Sequence, residues 1–175
     1  MDNLIYLKQH LREVPNFPKP GINFYDVSTL FKDNESLNII IDDLYNIYKD
    51  KGITKIVGIE SRGFVIGSLL AYKLGAGFVM CRKPGKLPAD TISETYNKEY
   101  GSDTIEIHTD AINSDDVVLI HDDVLATGGT ALAAKRLVSK FNPKEIYLDF
   151  LIEIDGLYQK DEFDNIDKIH CLMTL

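Results

Sequence analysis

Val117-Val118-Leu119-Ile120-His121-Asp122-Asp123-Val124-Leu125-Ala126-Thr127-Gly128-Gly129-Thr130 decides how this chain folds. The run opens with branched apolar residues, the composition of a strand buried on both faces. Two carboxylates stand where that strand should end, and a turn of small residues follows. Leu132, Arg136, Leu137 and Phe141 then recur at roughly helical spacing, with Asn142-Pro143 as the stop. A strand, a tight turn and a helix in succession place an anion on the helix N-terminus, where unpaired N–H groups and the helix dipole converge. Gly128 and Gly129 let the backbone approach a phosphate, and Thr127 and Thr130 add hydroxyl donors. The turn has neither the lysine of G-x-x-x-x-G-K-[ST] nor the spacing of G-x-G-x-x-G. Nucleoside-triphosphate and dinucleotide loops are therefore excluded. His121 reads as a packed or solvent-facing side chain at a strand end.

Working outward, Lys55-Ile56-Val57-Gly58-Ile59 predicts another buried strand. It enters Glu60-Ser61-Arg62-Gly63 and then a helix from Phe64 to Leu74, closed by Gly75. This repeats the first layout and offers a second anion site, although an ordinary strand-to-helix turn has the same pattern. Gly77 to Cys81 predicts a third strand running into Arg82-Lys83. Thr104 to His108 predicts a half-exposed strand with Glu106 and His108 solvated, Glu145 to Ile152 a buried one, and Lys168 to Leu172 a last edge strand. Leu4, Leu7, Leu11 and Val14 predict an opening helix, and residues 35–51 a second one followed by Gly52. Between these two helices, Pro15, Pro18, Pro20 and Gly21 break regular structure. Residues 84–101 are polar, rich in Pro and Gly, and without clear periodicity, which marks a functional loop. Strands alternating with helices predict an α/β domain whose ligands bind at the C-terminal ends of parallel strands.

Composition narrows the function. A length of 175 residues suits one domain. The net charge of −8 argues against a nucleic-acid binder. An acidic protein that takes a polyanion must gather its cations locally, and Arg82, Lys83 and Lys86 are the tight basic cluster in mid-chain. No apolar run approaches a membrane span, and the start Met1-Asp2-Asn3 has no basic stretch, so neither membrane nor export is expected. Cys81 and Cys171 lack metal spacing and read as reduced thiols of a cytoplasmic protein.

The stretch Leu119 to Thr130 resembles the phosphoribosyl-diphosphate (PRPP) signature of the type I phosphoribosyltransferases, and the likeness runs from about Phe17 to about Ile154. The resemblance implies their fold: a central, mainly parallel sheet flanked by helices, with a small hood and a flexible catalytic loop. It implies one domain over residues 1–175, with the hood at 15–26 and the loop at 84–101. Arg82-Lys83-Pro84-Gly85-Lys86-Leu87-Pro88 and Tyr96-Asn97-Lys98-Glu99-Tyr100-Gly101 are similar to the signatures of the branch that uses adenine. His121 departs from the aliphatic residue usual there, and Tyr25 stands where arginine is frequent.

Residue by residue, the resemblance implies a 5′-phosphate on Ala126, Thr127, Gly128, Gly129 and Thr130, and ribose hydroxyls on Asp122 and Asp123. The acidic pair could instead ligate metal directly. A ring anchored through its 5′-phosphate leaves its hydroxyls beside the pair, which favours the sugar role. Diphosphate falls to Ser61, Arg62, Arg82, Lys83 and Lys86, and adenine to Ile22, Asn23, Phe24, Tyr25 and Val124. Glu99 is the implied general acid/base, with Tyr100 beside it on the loop, which would close as a lid. The implied reaction joins adenine N9 to C1 of PRPP, giving AMP and diphosphate. Mg²⁺ is held through PRPP and water, with no direct protein ligand. The implied assembly is a homodimer, with part of the Lys83–Lys86 region reaching the neighbour's site. A PRPP-sensing regulator is the alternative from another class. It would need an added nucleic-acid-binding element, for which the opening helix is too short.

Overall fold

The alternation of strand and helix is realised around a five-stranded parallel sheet. The computed structural model describes residues 3–97, 101–158, 163 and 168–175, and the chain divides into two units, Met1–Ile47 and Tyr48–Leu175.

The amino-terminal unit holds α1 (Asn3–His10), β1 (Arg12–Pro15), β2 (Asn23–Asp26), α2 (Ser28–Phe31) and all but the last residue of α3 (Asn34–Tyr48). The helical spacing that continues to Val14 is overridden. α1 stops at His10, and Val14 lies in β1, opposite Phe24 of β2 in an antiparallel pair. Proline is tolerated at the end of an edge strand, so Pro15 closes β1 and does not forbid it. Between β1 and β2 the backbone is irregular over residues 16–22. There Asn16 and Gly21 take positive φ, 60° and 87°, and the Gly21 N–H donates to Asn16 Oδ1 at 2.8 Å. The predicted second helix is α3, ending three residues before the expected Lys51.

The second unit contains β3 (Lys55–Ile59), α4 (Gly63–Leu74), β4 (Gly77–Cys81), β5 (Thr91–Asn97), β6 (Ser102–His108), β7 (Val117–Leu125), α5 (Gly129–Ser139), β8 (Glu145–Glu153) and β9 (Ile169–Thr174). The sheet order is β4-β3-β7-β8-β9, with every pair parallel. The expected loop at 84–101 is partly regular. Thr91–Asn97 is a strand, paired antiparallel with β6. Ile92, Glu94 and Tyr96 alternate with the exposed Ser93, Thr95 and Asn97, a period-two signal. Glu106 and His108, expected in solvent, are only half exposed. α5 stops at Ser139, two residues before Phe141.

Successive side chains of a strand face opposite sides, which divides the core. Val118 and Ile120 of β7 pack with Ala134, Leu137 and Val138 of α5 and with Tyr96, Ile105 and Ile107 of the β5–β6 ribbon. α4 covers the other face, where Gly67 lies against Phe78, Ile56 and His121. Among the described residues, no helix is long and apolar enough to cross a membrane.

The sheet order also fixes where ligands go. Numbered by occurrence, its strands run 2-1-3-4-5, so the order in which strands are added across the sheet reverses between β3 and β7. In open α/β sheets the crevice at the carboxyl ends of those two strands is the binding position. Glu60–Gly63 follows one and Ala126–Thr130 the other.

Candidate active site

At the end of β7, Gly128 takes φ 83° as the N-cap of α5, with no side-chain cap on the helix start. A Cβ at Gly128 would meet the Phe163 ring at 3.1 Å as well as adopting a conformation that L side chains rarely take. Gly129 is different: its φ is ordinary, and an added Cβ would lie 3.6 Å from Tyr96. Residues Val124 to Ala131 line a small cleft together with Asp122 and Phe150. The five residues expected to hold the 5′-phosphate are therefore brought together. Val124, expected against the base, lines this same cleft. The Thr130 hydroxyl also bonds the Tyr96 hydroxyl at 2.9 Å, tying the turn to the β5–β6 ribbon.

The acidic pair, expected where the strand ends, lies inside β7, which continues to Leu125, and its two members have different surroundings. Asp122 borders both that small cleft and an adjoining one lined by Glu60, Arg82, Lys83, Tyr96, Asp103 and Thr130. Burial, and then the neighbouring Asp123 carboxylate, push the Asp122 pKa well above the ordinary range. Its Oδ1 accepts the Asp123 N–H at 2.9 Å. Asp123 is buried and lines neither cleft; its Oδ2 forms an ion pair with Arg62 Nε. Arg62, expected on diphosphate, is thus committed in part to an internal carboxylate.

The turn after β3 owes its position to Gly63, whose added Cβ would strike the His121 carbonyl oxygen at 2.7 Å and the Asp122 Cα at 3.2 Å. Glycine at this point lets the start of α4 press against β7. Ser61 is exposed in the turn, and its carbonyl accepts the Phe64 N–H at 3.2 Å. Glu60 gathers the basic cluster. Its carboxylate accepts from Arg82 Nε at 3.3 Å and a terminal Arg82 nitrogen at 3.1 Å. It also accepts from Lys86 Nζ at 2.7 Å and the Lys83 N–H at 3.1 Å. Hydrogen bonds from Arg82 and then Lys86 hold the Glu60 pKa at about 2. Lys83 Nζ pairs with Asp103 at 3.6 Å. Arg82, Lys83 and Lys86 are therefore brought together as expected, around a carboxylate to which sequence reasoning gave no role.

Apart from Val124, the expected adenine residues belong to the amino-terminal unit. Asn23, Phe24 and Tyr25 form β2, and the Phe24 ring meets Phe17 edge-on at 5.3 Å. Ile22, expected to offer main-chain groups, has both engaged: its N–H donates to the Lys19 carbonyl at 3.2 Å, and its carbonyl accepts from Phe17 at 3.1 Å. Glu99 and Tyr100 lie outside the described residues.

Four further groups escaped the sequence reading. Glu60 was visible only as part of a turn. Tyr96, Tyr158 and Phe163 come against Gly128, Gly129 or Thr130 from other parts of the chain, and no local pattern shows such contacts. His121 is fully buried and bonds Asp149 at 2.7 Å. Asp149 also accepts from His170 at 2.8 Å and the Tyr48 hydroxyl at 3.1 Å. Burial works to raise the Asp149 pKa, but the bonds from His121 and His170 outweigh it and hold it low. His121 thus packs beneath the crevice and does not face it. Burial pushes the Cys81 thiol up to about 12, which removes it as a nucleophile.

The phosphoribosyl transferase domain family matches residues 26–169 of this chain. The adenine phosphoribosyltransferase of Phocaeicola vulgatus is 60% identical over 169 residues, covering 97% of each protein. Among solved structures, the adenine phosphoribosyltransferase of Rhodothermus marinus superposes with a TM-score of 0.91 at 48% identity, covering 99% of this chain and 98% of that one. The Saccharomyces cerevisiae enzyme, solved with an iminoaltritol bisphosphate and adenine, superposes with a TM-score of 0.90 at 39% identity, covering 98% of each. A likeness over nearly the whole length, together with a glycine turn at the sheet's switch point, makes this chain a member of the phosphoribosyl transferase family, among its adenine phosphoribosyltransferases.

Proposed function

We infer that this protein transfers the 5-phosphoribosyl group of PRPP to N9 of adenine, giving AMP and diphosphate, as in purine salvage. The observation that carries the reading is the pair of clefts that meet at Asp122, at the switch point of the sheet and beside two strand–turn–helix junctions. One site is uncharged and shaped by glycine, which suits a phosphate that stays bound. The other gathers Arg82, Lys83 and Lys86, each paired with a carboxylate, which suits a charged group that must depart.

In the reaction the C1–O bond to diphosphate breaks and a C1–N9 bond forms. Main-chain N–H groups of Ala126–Thr130 hold the 5′-phosphate and so fix the sugar. Asp122 accepts the ribose hydroxyls, and its charge favours the oxocarbenium character that grows at C1. Asp123 shares this task through the Arg62 pair. Arg82, Lys83 and Lys86, with Ser61 and Arg62, take the diphosphate. Glu99, with Tyr100 beside it, receives the N9 proton. Phe24 supplies an apolar wall for the purine, and main-chain groups from Asn23 to Tyr25 read its edge.

The donor set of the crevice fits Mg²⁺ carried on substrate oxygens. Asp123, Glu60 and Asp103 are each engaged by a cation, leaving mainly Asp122, phosphate and hydroxyl oxygens for a hard ion. When bound, the ion would offset charge on the departing diphosphate.

A homodimer in the cytoplasm completes the reading. Val65, Leu69 and Tyr72 form an exposed apolar stripe on α4, with Tyr72 at 89% exposure, and Met80 is exposed on edge strand β4. Neither Cys81 nor Cys171 is in a disulfide. A screen of adenine, hypoxanthine, guanine and xanthine with PRPP and Mg²⁺ tests the function. Nucleotide formation from adenine is expected, and turnover of another base in its place would contradict the reading.

A further inference from the structure

Two of the cations expected on the leaving group, Arg82 and Lys86, already share one acceptor, to which the Lys83 main chain also donates. The Glu60 side chain is only 12% exposed, yet it stands at the border of the cleft that Arg82, Lys83 and Asp122 also line. Two Arg82 nitrogens, at 3.3 and 3.1 Å, meet it as a fork. The Lys86 ammonium at 2.7 Å and the Lys83 N–H at 3.1 Å complete the set. Planar two-pronged acceptance from guanidinium, with an ammonium alongside, is also how a phosphate oxygen pair is recognised. A diphosphate entering this cleft therefore competes with Glu60 for the same donors.

We propose that Glu60 is an internal counter-anion of the diphosphate site, keeping Arg82 and Lys86 in place, yielding them to diphosphate and reclaiming them as it leaves. The proposal rests on the reading that Arg82, Lys83 and Lys86 bind diphosphate. Glu60 is then a positioning residue that weakens product binding on purpose. With a pKa near 2, it stays ionised through the neutral range, so the exchange does not depend on protonation. Diphosphate carries more charge than one carboxylate and wins the donors while bound. The returning carboxylate lowers the cost of its departure, because the cations are never left unpaired in a partly buried cleft. The neighbouring pair of Lys83 with Asp103 at 3.6 Å repeats the arrangement more loosely.

A scaffold residue and a competing anion predict opposite signs. If Glu60 only braces the cluster, its loss loosens Arg82 and Lys86 and diphosphate binds more weakly. If it competes, its loss tightens diphosphate. Calorimetric titration of Mg²⁺-diphosphate into wild type, Glu60→Gln and Glu60→Ala separates the two. We expect Kd to fall about tenfold in both variants, equivalent to about 1.4 kcal/mol, with kcat lowered through slower diphosphate release. Glu60→Asp, which keeps the charge, should stay near wild type. Unchanged or weaker binding in Glu60→Gln and Glu60→Ala overturns the proposal. Arg82→Gln, titrated in parallel, tests the underlying reading: if it leaves diphosphate affinity unchanged, the cluster is not the diphosphate site.

Discussion

The turns that follow β3 and β7 share a plan and differ in what fills it. Each leaves a buried parallel strand, passes through a few residues and opens a helix at the same crevice. The turn after β7 is made of small residues, one of them Gly128 at φ 83°, and presents backbone. The turn after β3 is crowded with charge: Glu60 against Arg82 and Lys86, and Arg62 against Asp123. A site of backbone N–H groups depends on shape and changes little with ionic strength. A site of paired side chains depends on charge and can exchange partners. The first is suited to an anchor that holds the sugar throughout, and the second to a group that must depart. Substitutions should therefore divide by kind, with steric changes acting at the first turn and charge changes at the second.

The steric limb is expected to give the largest effect. Gly128→Val combines a disfavoured φ with a contact at 3.1 Å on Phe163, and should abolish measurable PRPP binding while the protein stays folded. Calorimetry with PRPP, alongside circular dichroism, checks both halves. Gly129→Ala sharpens the comparison, because its Cβ at 3.6 Å from Tyr96 fits the protein itself. A loss of PRPP affinity there reports phosphate approach directly, and wild-type affinity would move the phosphate off this turn.

Chemistry, as distinct from anchoring, should fall on Glu99. Glu99→Gln keeps the shape and loses the proton acceptor, so kcat should drop by about 10²–10⁴ while PRPP affinity changes little. Single-turnover AMP formation within a few-fold of wild type would remove Glu99 from the mechanism.

The smallest effect concerns the wall between the two turns. Asp122 has its pKa raised by burial and by Asp123, so its contribution to stability is greatest at low pH and is lost as pH rises through the folded-state pKa. Asp122→Asn removes that loss. The variant should melt a few degrees above wild type at pH 8 and converge with it below about pH 4, near the unfolded aspartate pKa, while binding PRPP less well. A melting temperature lower than wild type at pH 8 would mean that the buried charge is compensated by the fold.

Much of this arrangement was legible in the sequence. β3, β4, β7 and β8 are runs of branched residues, and burial on both faces of a parallel sheet demands that composition. The 126–130 turn was legible for a similar reason, since close approach to an anion leaves few choices but small residues. The period-two pattern of Ile92, Glu94 and Tyr96 was hidden among polar residues and behind Pro84 and Pro88. β1 was hidden by an apolar spacing that fits a helix up to Val14, where pairing with Phe24 decided instead. Contacts between distant segments left no local trace: Phe163 over Gly128, Tyr96 on Thr130, and Asp149 beneath His121. Glu60 was readable as a residue type, but its role depends on Arg82 and Lys86 folding back toward it.

Base choice tests the functional reading most directly. Adenine presents an N6 donor and an N1 acceptor, whereas hypoxanthine presents an O6 acceptor and an N1 donor. Main-chain groups that match adenine are left facing like groups when hypoxanthine enters, and buried mismatches of this kind cost far more than a lost contact. The measurement is kcat/KM for adenine and for hypoxanthine with the same PRPP and Mg²⁺. A ratio of roughly 10⁴ in favour of adenine, about 5–6 kcal/mol, is predicted; a ratio below about 100 would contradict the assignment of adenine as substrate.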